Sequence, residues 1–416
     1  MLVLEGKVFV NGDIKNTSVG IEDGKIAAVG NIIRGWDERI DLGDKLIIPG
    51  AVDPHVHFRD PGLTKKEDFR TGTLSALHGG VTCVFDMPNT VPAVTDIKTL
   101  EEKKRTIRSK AYTDYGLFSA ITKDCDVRSL AKGSVGFKLF MGSTTGNILM
   151  NDDRYIQNMI KEIHPTGKVI SVHAEDEGMI SKEVEKNNHD HLKNRPAEAE
   201  YSAVSRLATY CKGAKINICH ATIPKTLELA HSAGFTVEST MHHILFNCEK
   251  EGSHFKVNPP LRDENTRLVM MDRFLKGKTD IFGSDHAPHA EEEKEEYNAS
   301  PSGMPGVETS LPIMMNMLRK GTIPLGTICG CTAKNPGERF NLNKGQIRKG
   351  YDADISVFDM RNVTVIDPDK LHGRSKSPVY AGQEAIFPKM VMVRGEIQID
   401  DGEFQGKAIG EDVCGH

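Results

Sequence analysis

The chain has 416 residues, enough to bury a large core. Hydrophobic residues make up 38% and charged residues 27%, and the net charge of -5 leaves no basic footprint for nucleic acid or an anionic membrane. No stretch approaches the roughly 20 apolar residues of a membrane span. Residues 1–10, broken by Glu5 and Lys7, do not read as a signal peptide. The eight cysteines are scattered without a Cys-x-x-Cys pair, which predicts reduced thiols in a cytoplasmic protein.

In chain order, the first 45 residues alternate at Val8, Val10, Val19, Ile21 and Ile26, with turns at Asn11-Gly12 and Asp23-Gly24. That spacing predicts antiparallel hairpins. From residue 46 the texture changes to apolar strands alternating with helices. Strands are predicted at 46–52, 81–86, 114–120, 135–140, 169–172, 216–219, 236–240 and 280–283. Helical patterns fall at 65–77, 95–109, 197–211 and 264–274. Eight strands with helices between them predict an α/β fold, a TIM-like (β/α)8 barrel over 46–343. Hairpin texture returns after Lys344, at 354–358, 363–365 and 390–393, so residues 1–45 and 344–416 are expected to combine into a small β-sandwich. The acidic run Glu291–Glu296 reads as a solvated loop or helix start.

Barrel enzymes carry their chemistry where strands end. The first strand leads into His55-Val-His-Phe-Arg59; residues i and i+2 share a face, so His55, His57 and Arg59 point one way. The second strand ends in Asp86-Met-Pro-Asn-Thr90 and the fourth contains Lys138. The fifth ends at His173, the sixth at His220, and the eighth in Ser284-Asp-His-Ala-Pro-His289. A lone histidine at a strand end is more often structural than ligating; this many on one barrel mouth predict a metal site. His242-His243 ends the seventh strand and reads as supporting or packing residues.

Lys138 lies inside the apolar run Gly136-Phe-Lys-Leu-Phe-Met141, which buries it. Desolvation favours the neutral amine, and a neutral amine can add carbon dioxide to form a carbamate able to bridge two metal ions. His55 and His57 then serve one ion and His173 and His220 the other, with Asp285 completing the first site. Imidazole and carboxylate suit Zn²⁺, and ions about 3.5–4 Å apart can activate one water at neutral pH.

These blocks, together with Asn258-Pro-Pro-Leu-Arg262 and Gly350-Tyr-Asp-Ala-Asp-Ile355, resemble the amidohydrolase superfamily and, within it, the long-chain bacterial and archaeal dihydroorotase group. The resemblance spans nearly the whole chain. It implies reversible cyclisation of N-carbamoyl-L-aspartate to L-dihydroorotate, in pyrimidine biosynthesis, with two Zn²⁺ bridged by carboxylated Lys138. By the same resemblance Asp285 is both metal ligand and general acid/base. Arg59, Asn89, Asn258 and His289 match contacts to the substrate carboxylate and its neighbours, and Ser302-Gly303 matches a backbone contact to the ring. Some members use an aspartate bridge further on; here Gly142-Ser-Thr-Thr-Gly146 holds no acid, which favours the lysine form.

The partners implied are a small-molecule substrate and either a second copy of the chain or an aspartate transcarbamoylase. Hydantoinase, dihydropyrimidinase and allantoinase share the barrel and are the alternatives within the enzyme class. Arg59-Asp-Pro-Gly62 and His289 favour an anionic substrate instead. An inactive scaffold that binds a transcarbamoylase is the alternative of another class; all six metal-ligand positions are filled, which argues against it.

Overall fold

A computed structural model of the chain describes residues 1–144, 146 and 148–414. It opens with β1 (Leu2–Val10), β2 (Asp13–Glu22) and β3 (Lys25–Gly30), joined by two tight turns. Val8, Val10, Val19, Ile21 and Ile26 are buried, as their alternation predicts. Asn11 and Gly12 (φ 54° and 86°), like Asp23 and Gly24 (φ 49° and 74°), adopt the left-handed backbone that two-residue hairpins require. β4 (Glu38–Pro49) then returns parallel to β1.

The apolar run 46–52 is not one strand. Its first four residues end β4, and Ala51 begins β5 (Ala51–Val56), the first barrel strand. Gly50 is the joint: its N–H donates to the Asp354 carbonyl at 2.8 Å, and a Cβ there would meet the Thr82 side chain at 2.4 Å. Pro49-Gly50, a turn-forming pair inside the otherwise apolar run, marks the joint.

The barrel strands follow as β6 (Val81–Asp86), β7 (Asp114–Ala120), β8 (Gly136–Phe140), β9 (Val169–His173), β10 (Ile216–Ile218), β11 (Thr236–Ser239) and β12 (Ile281–Phe282). They lie side by side in sequence order from β5 to β12, all parallel. A parallel bridge from Val56 to His286, with the His57 N–H donating to the His286 carbonyl at 2.8 Å, brings the last strand's exit back to the first. Every residue of β5 to β9 is buried, because helices cover the outside and side chains fill the inside. The covering helices include Phe69–His78, Ile97–Ile107, Ala197–Tyr210 and Glu264–Leu275, close to the predicted spans.

After the barrel come β13 (Ile355–Phe358), β14 (Thr364–Val365), β15 (Glu384–Ala385), β16 (Met390–Val393), β17 (Glu396–Asp400) and β18 (Glu403–Phe404). β13 and β16 to β18 extend the N-terminal sheet in the order β18-β17-β16-β13-β4-β1-β2-β3. That sheet is continuous but curls: a Cβ on Gly395 would lie 2.8 Å from Ile21 at the other end. Leu4, Val19 and Ile26 share one core with Ile355, Met390 and Met392. The strand expected near residues 363–365 pairs only with β15 and stays outside this sheet. Gly415 and His416, at the end of the expected terminal unit, lie outside the described residues. Among the described residues no helix is long and apolar enough to cross a membrane.

Candidate metal-dependent active site

The strand ends converge on one cavity of about 390 Å³ at the barrel mouth. His55, His57, Lys138, His173, His220 and Asp285 line it, as do Arg59, Asn89, Asn258, Ser302 and Gly303. His289 stands beside them, its Nε2 3.3 Å from Arg59 Nη2 and 3.1 Å from the Ser302 carbonyl. Thr144 also lines the wall; Thr145, in the stretch noted above for its lack of an acid, lies outside the described residues.

Three elements place the first histidines. Asp53 accepts from the His55 N–H at 3.1 Å and the Ser284 N–H at 3.0 Å, tying β5 to the loop after β12. Asp86, paired with buried Lys103, accepts from the Phe58 N–H at 2.7 Å and so holds the turn between His57 and Arg59. Arg59, His220 and Asp285 all sit in left-handed backbone (φ 61°, 36° and 47°). Such residues cost about 1–3 kcal/mol each and persist where the surroundings dictate them.

Outer contacts fix which nitrogens face inward. His55 Nδ1 bonds Glu238 Oε1 at 2.7 Å and His57 Nδ1 bonds Asn89 Oδ1 at 2.7 Å. Both Nε2 atoms then face Asp285 Oδ1, at 3.3 Å and 3.2 Å. On the opposite wall His173 Nε2 bonds Glu175 Oε2 at 2.7 Å, and Glu175 is itself held by Arg195 at 2.6 Å. His173 Nδ1 is left facing His220 Nε2 at 3.2 Å, while the buried Nδ1 of His220 has no hydrogen-bond partner. Carboxylate or amide behind, lone pair in front, is how metal-ligating histidines are oriented. Sequence reasoning missed Glu238, Glu175, Arg195 and Cys219; Glu175, two residues past a strand-end histidine, carried the one available signal.

Lys138 is buried between the two walls. Its Nζ lies 3.5 Å from His55 Nε2 and 3.1 Å from Cys219 Sγ, and it forms no ion pair with a carboxylate among the described residues. Burial by itself would raise the Asp285 carboxyl, but the surrounding His55, His57 and His220 hold it well below its ordinary range. Burial pushes His57 down to about 3, against the pull of Asp285. At His55, burial and Lys138 also act downward, yet Glu238, Asp285 and Cys219 outweigh them and the ring is raised to about 10. The donor set of two inward imidazoles and a carboxylate, all within 4.8 Å of one another, fits a divalent ion of the zinc type.

The carboxylate side of the cavity is built differently. Asn258 Oδ1 accepts from Ser302 Oγ at 3.1 Å and lies 2.9 Å from His191 Nε2. Burial lowers Arg59 to about 10, which leaves it cationic at neutral pH. His243 is satisfied by Thr240 and the Pro259 carbonyl, whereas His242 is buried with neither ring nitrogen hydrogen-bonded among the described residues; neither lines the cavity. The acidic run starts a short helix, Glu291–Lys294, with Glu291, Glu292, Glu295 and Glu296 exposed as expected; within it Glu293 pairs with Lys66 at 2.8 Å and Lys294 is buried.

The profile of the amidohydrolase family matches residues 46–398. Among curated proteins the chain is 35% identical to a dihydroorotase of Thermoplasma acidophilum over 95% of this chain and 94% of that one. It is 34% identical to a dihydroorotase of Pyrococcus abyssi, over 99% and 98% of the two chains. Among solved structures it resembles an L-hydantoinase (dihydropyrimidinase) from Arthrobacter aurescens, with a TM-score of 0.94 and 27% identity over 99% of each chain. A D-hydantoinase from a Thermus species, 24% identical with a TM-score of 0.91 over 99% of this chain and 98% of that one, shares the fold.

Proposed function

The chain belongs to the amidohydrolase family, in its dihydroorotase branch, and from that premise we propose that it interconverts N-carbamoyl-L-aspartate and L-dihydroorotate at this cavity. The observation that carries the reading is the pairing of a metal-type donor set with a cationic, amide-rich pocket on the same cavity. A neutral cyclic amide needs only the first half; a substrate that keeps a carboxylate through the reaction needs both.

The family implies a metal cofactor. We assign His55, His57 and Asp285 to one Zn²⁺ and His173 and His220 to a second, with Lys138, carboxylated, between them. Lys138 is buried with no carboxylate in ion-pair contact among the described residues, which supports that assignment, because an unpaired ammonium is costly there and a carbamate would have two cations to hold. Bound there, the ions supply a water made nucleophilic at neutral pH and polarise the ring carbonyl.

The chain's own groups do the rest. Asp285, ionised at neutral pH, takes a proton from the attacking water and returns it to the ring nitrogen that leaves. Arg59 presents a planar fork to the carboxylate, and Asn258 and Asn89 offer amides beside it. Ser302 and Gly303 line the same cavity, where their backbone would meet the ring's edge. Ring closure runs these steps in reverse and takes up one proton overall, since two carboxylates become one.

The partners and location implied by the resemblance extend the reading: a second copy of the chain or an aspartate transcarbamoylase, in the cytoplasm. An ultraviolet assay with L-dihydroorotate, hydantoin and allantoin side by side, with zinc measured on the same sample, tests it. Turnover of dihydroorotate with two zinc per chain is expected; preference for hydantoin would hand the site to the hydantoinase reading.

A further inference from the structure

We propose that Lys66 is a positioning residue that fixes the tautomer of His289, so that Nε2–H is tied to the Ser302 carbonyl and Arg59 is left to donate to the substrate carboxylate. The role in catalysis rests on the dihydroorotase reading; the hydrogen bond itself does not.

Lys66 lies in the turn between Arg59 and the helix Phe69–His78. The Leu63 N–H donates to the Arg59 carbonyl at 2.9 Å and the Lys66 N–H to the Leu63 carbonyl at 3.0 Å, so the turn that aims Arg59 also aims Lys66. Its side chain is 14% exposed. Nζ stands 3.2 Å from His289 Nδ1 and 2.8 Å from Glu293 Oε1.

An ammonium has only donors, so at 3.2 Å the His289 Nδ1 must accept. The proton then sits on Nε2, which donates to the Ser302 carbonyl at 3.1 Å. Arg59 Nη2, 3.3 Å from the same Nε2, becomes a second donor beside it rather than its partner. Arg59 thus keeps its N–H groups for an anion in the cavity that it lines. Burial, with Arg59, Lys294 and Lys66 nearby, holds the ring well below its ordinary range, so His289 stays neutral and the tautomer is the variable that matters.

The opposite tautomer has its own partners. Glu293 Oε2 lies 3.7 Å from Nδ1, close enough to attract a proton there once Lys66 is gone. Nε2 would then accept from Arg59, drawing that donor away from the carboxylate, and would lose its bond to the Ser302 carbonyl. Lys66 decides between the two networks, and Glu293 holds Lys66 in place while competing for the ring.

Long-range proton–nitrogen spectra of [¹⁵N]histidine protein, with His289 identified by His289→Gln, read the tautomer directly. Wild type should show a pyridine-like Nδ1 and a protonated Nε2. In Lys66→Met, and in Lys66→Gln if the first does not fold, the proton should move to Nδ1. KM for dihydroorotate should then rise roughly 10- to 100-fold, the range for losing hydrogen bonds to a charged group, with a smaller change in kcat and unchanged zinc. Lys66→Arg should restore both signatures. Retention of Nε2–H in the methionine variant, or a parallel fall in kcat and zinc content, overturns the proposal. Should wild type not turn over dihydroorotate, the functional reading fails, and the spectra still decide the link between Lys66 and His289.

Discussion

Glu238, near the end of β11, holds His55, near the end of β5, by a 2.7 Å bond between its Oε1 and the ring Nδ1. The same carboxylate accepts from the His220 N–H at 3.3 Å and from Asn217 Nδ2 at 3.3 Å, so one buried group steadies both walls of the metal site. Gly283 leaves room for it, since a Cβ there would come within 2.8 Å of Glu238 and 2.9 Å of His55. Glu238→Gln keeps the shape and removes the charge. It should lower metal affinity roughly 10- to 100-fold, with unchanged circular dichroism; zinc retained after dialysis against a graded chelator series measures it.

A pH dependence follows from the same contact. In the metal-free chain His55 is raised to about 10, from an ordinary value of 6.5, by Glu238 and Asp285 acting against burial. A raised folded value stabilises the folded chain fully below 6.5, and that contribution is lost as pH climbs toward 10. Metal needs the neutral ring, so zinc and the proton compete for it. The rise in Tm on adding zinc to metal-free protein should therefore grow between pH 6.5 and 10. A shift that stays flat or shrinks across that window would show that His55 is already neutral without metal.

The residues that face the cavity were legible because a strand-end position combined with an unusual side chain is a local signal. His55-x-His57, Lys138 in its apolar run and Asp285 each announce themselves within five residues of sequence. The residues that hold them are not local. Glu238 is 183 positions from His55 and Arg195 is 20 from Glu175, and each reads in isolation as an ordinary charged residue. The barrel was legible from its alternation of strands and helices. The detachment of β14 was not, because it depends on which neighbouring sheet offers a partner edge, whereas the joint at Gly50 had a local mark in Pro49-Gly50 that a single expected strand passed over.

Arg59 tests the carboxylate pocket. It is buried, donates to the Pro288 carbonyl at 3.3 Å and has no carboxylate of its own within ion-pair distance among the described residues. Arg59→Ala removes the charge and the fork; Arg59→Lys keeps only the charge. kcat/KM for dihydroorotate should fall about 100-fold or more in the alanine variant and by less in the lysine variant. Equal effects of the two would mean that the fork geometry carries the recognition.

Gly303 should tolerate no side chain. Its φ of 139° is in glycine's range, and a Cβ would stand 2.5 Å from the Ala287 carbonyl and 3.0 Å from His289 Nε2. Gly303→Ala therefore presses into the carboxylate subsite while leaving the metal ligands in place. KM should rise more than kcat falls, with zinc content unchanged. Loss of zinc in step with activity would instead mean that the loop strain reaches Asp285.

Asp285 carries the sharpest expectation, because among the described residues no other carboxylate lines the cavity to serve as its substitute. Glu175 is committed to Arg195 and His173, Glu238 to His55, and His289 is held neutral on the carboxylate side. A proton taken from water must therefore go to Asp285, which is ionised and 3.2 Å from His57. Asp285→Ala removes a proton carrier and one metal contact together, whereas Asp285→Asn keeps an oxygen donor and removes only the basicity. Both should lose about 10²- to 10⁴-fold in kcat, and the asparagine variant should do so with zinc still bound. Ring opening and ring closure should fall by the same factor at any one pH, since both pass through the same proton transfer. Turnover within a few fold of wild type in zinc-loaded Asp285→Asn would require the proton to travel by another group and would remove Asp285 from the reaction.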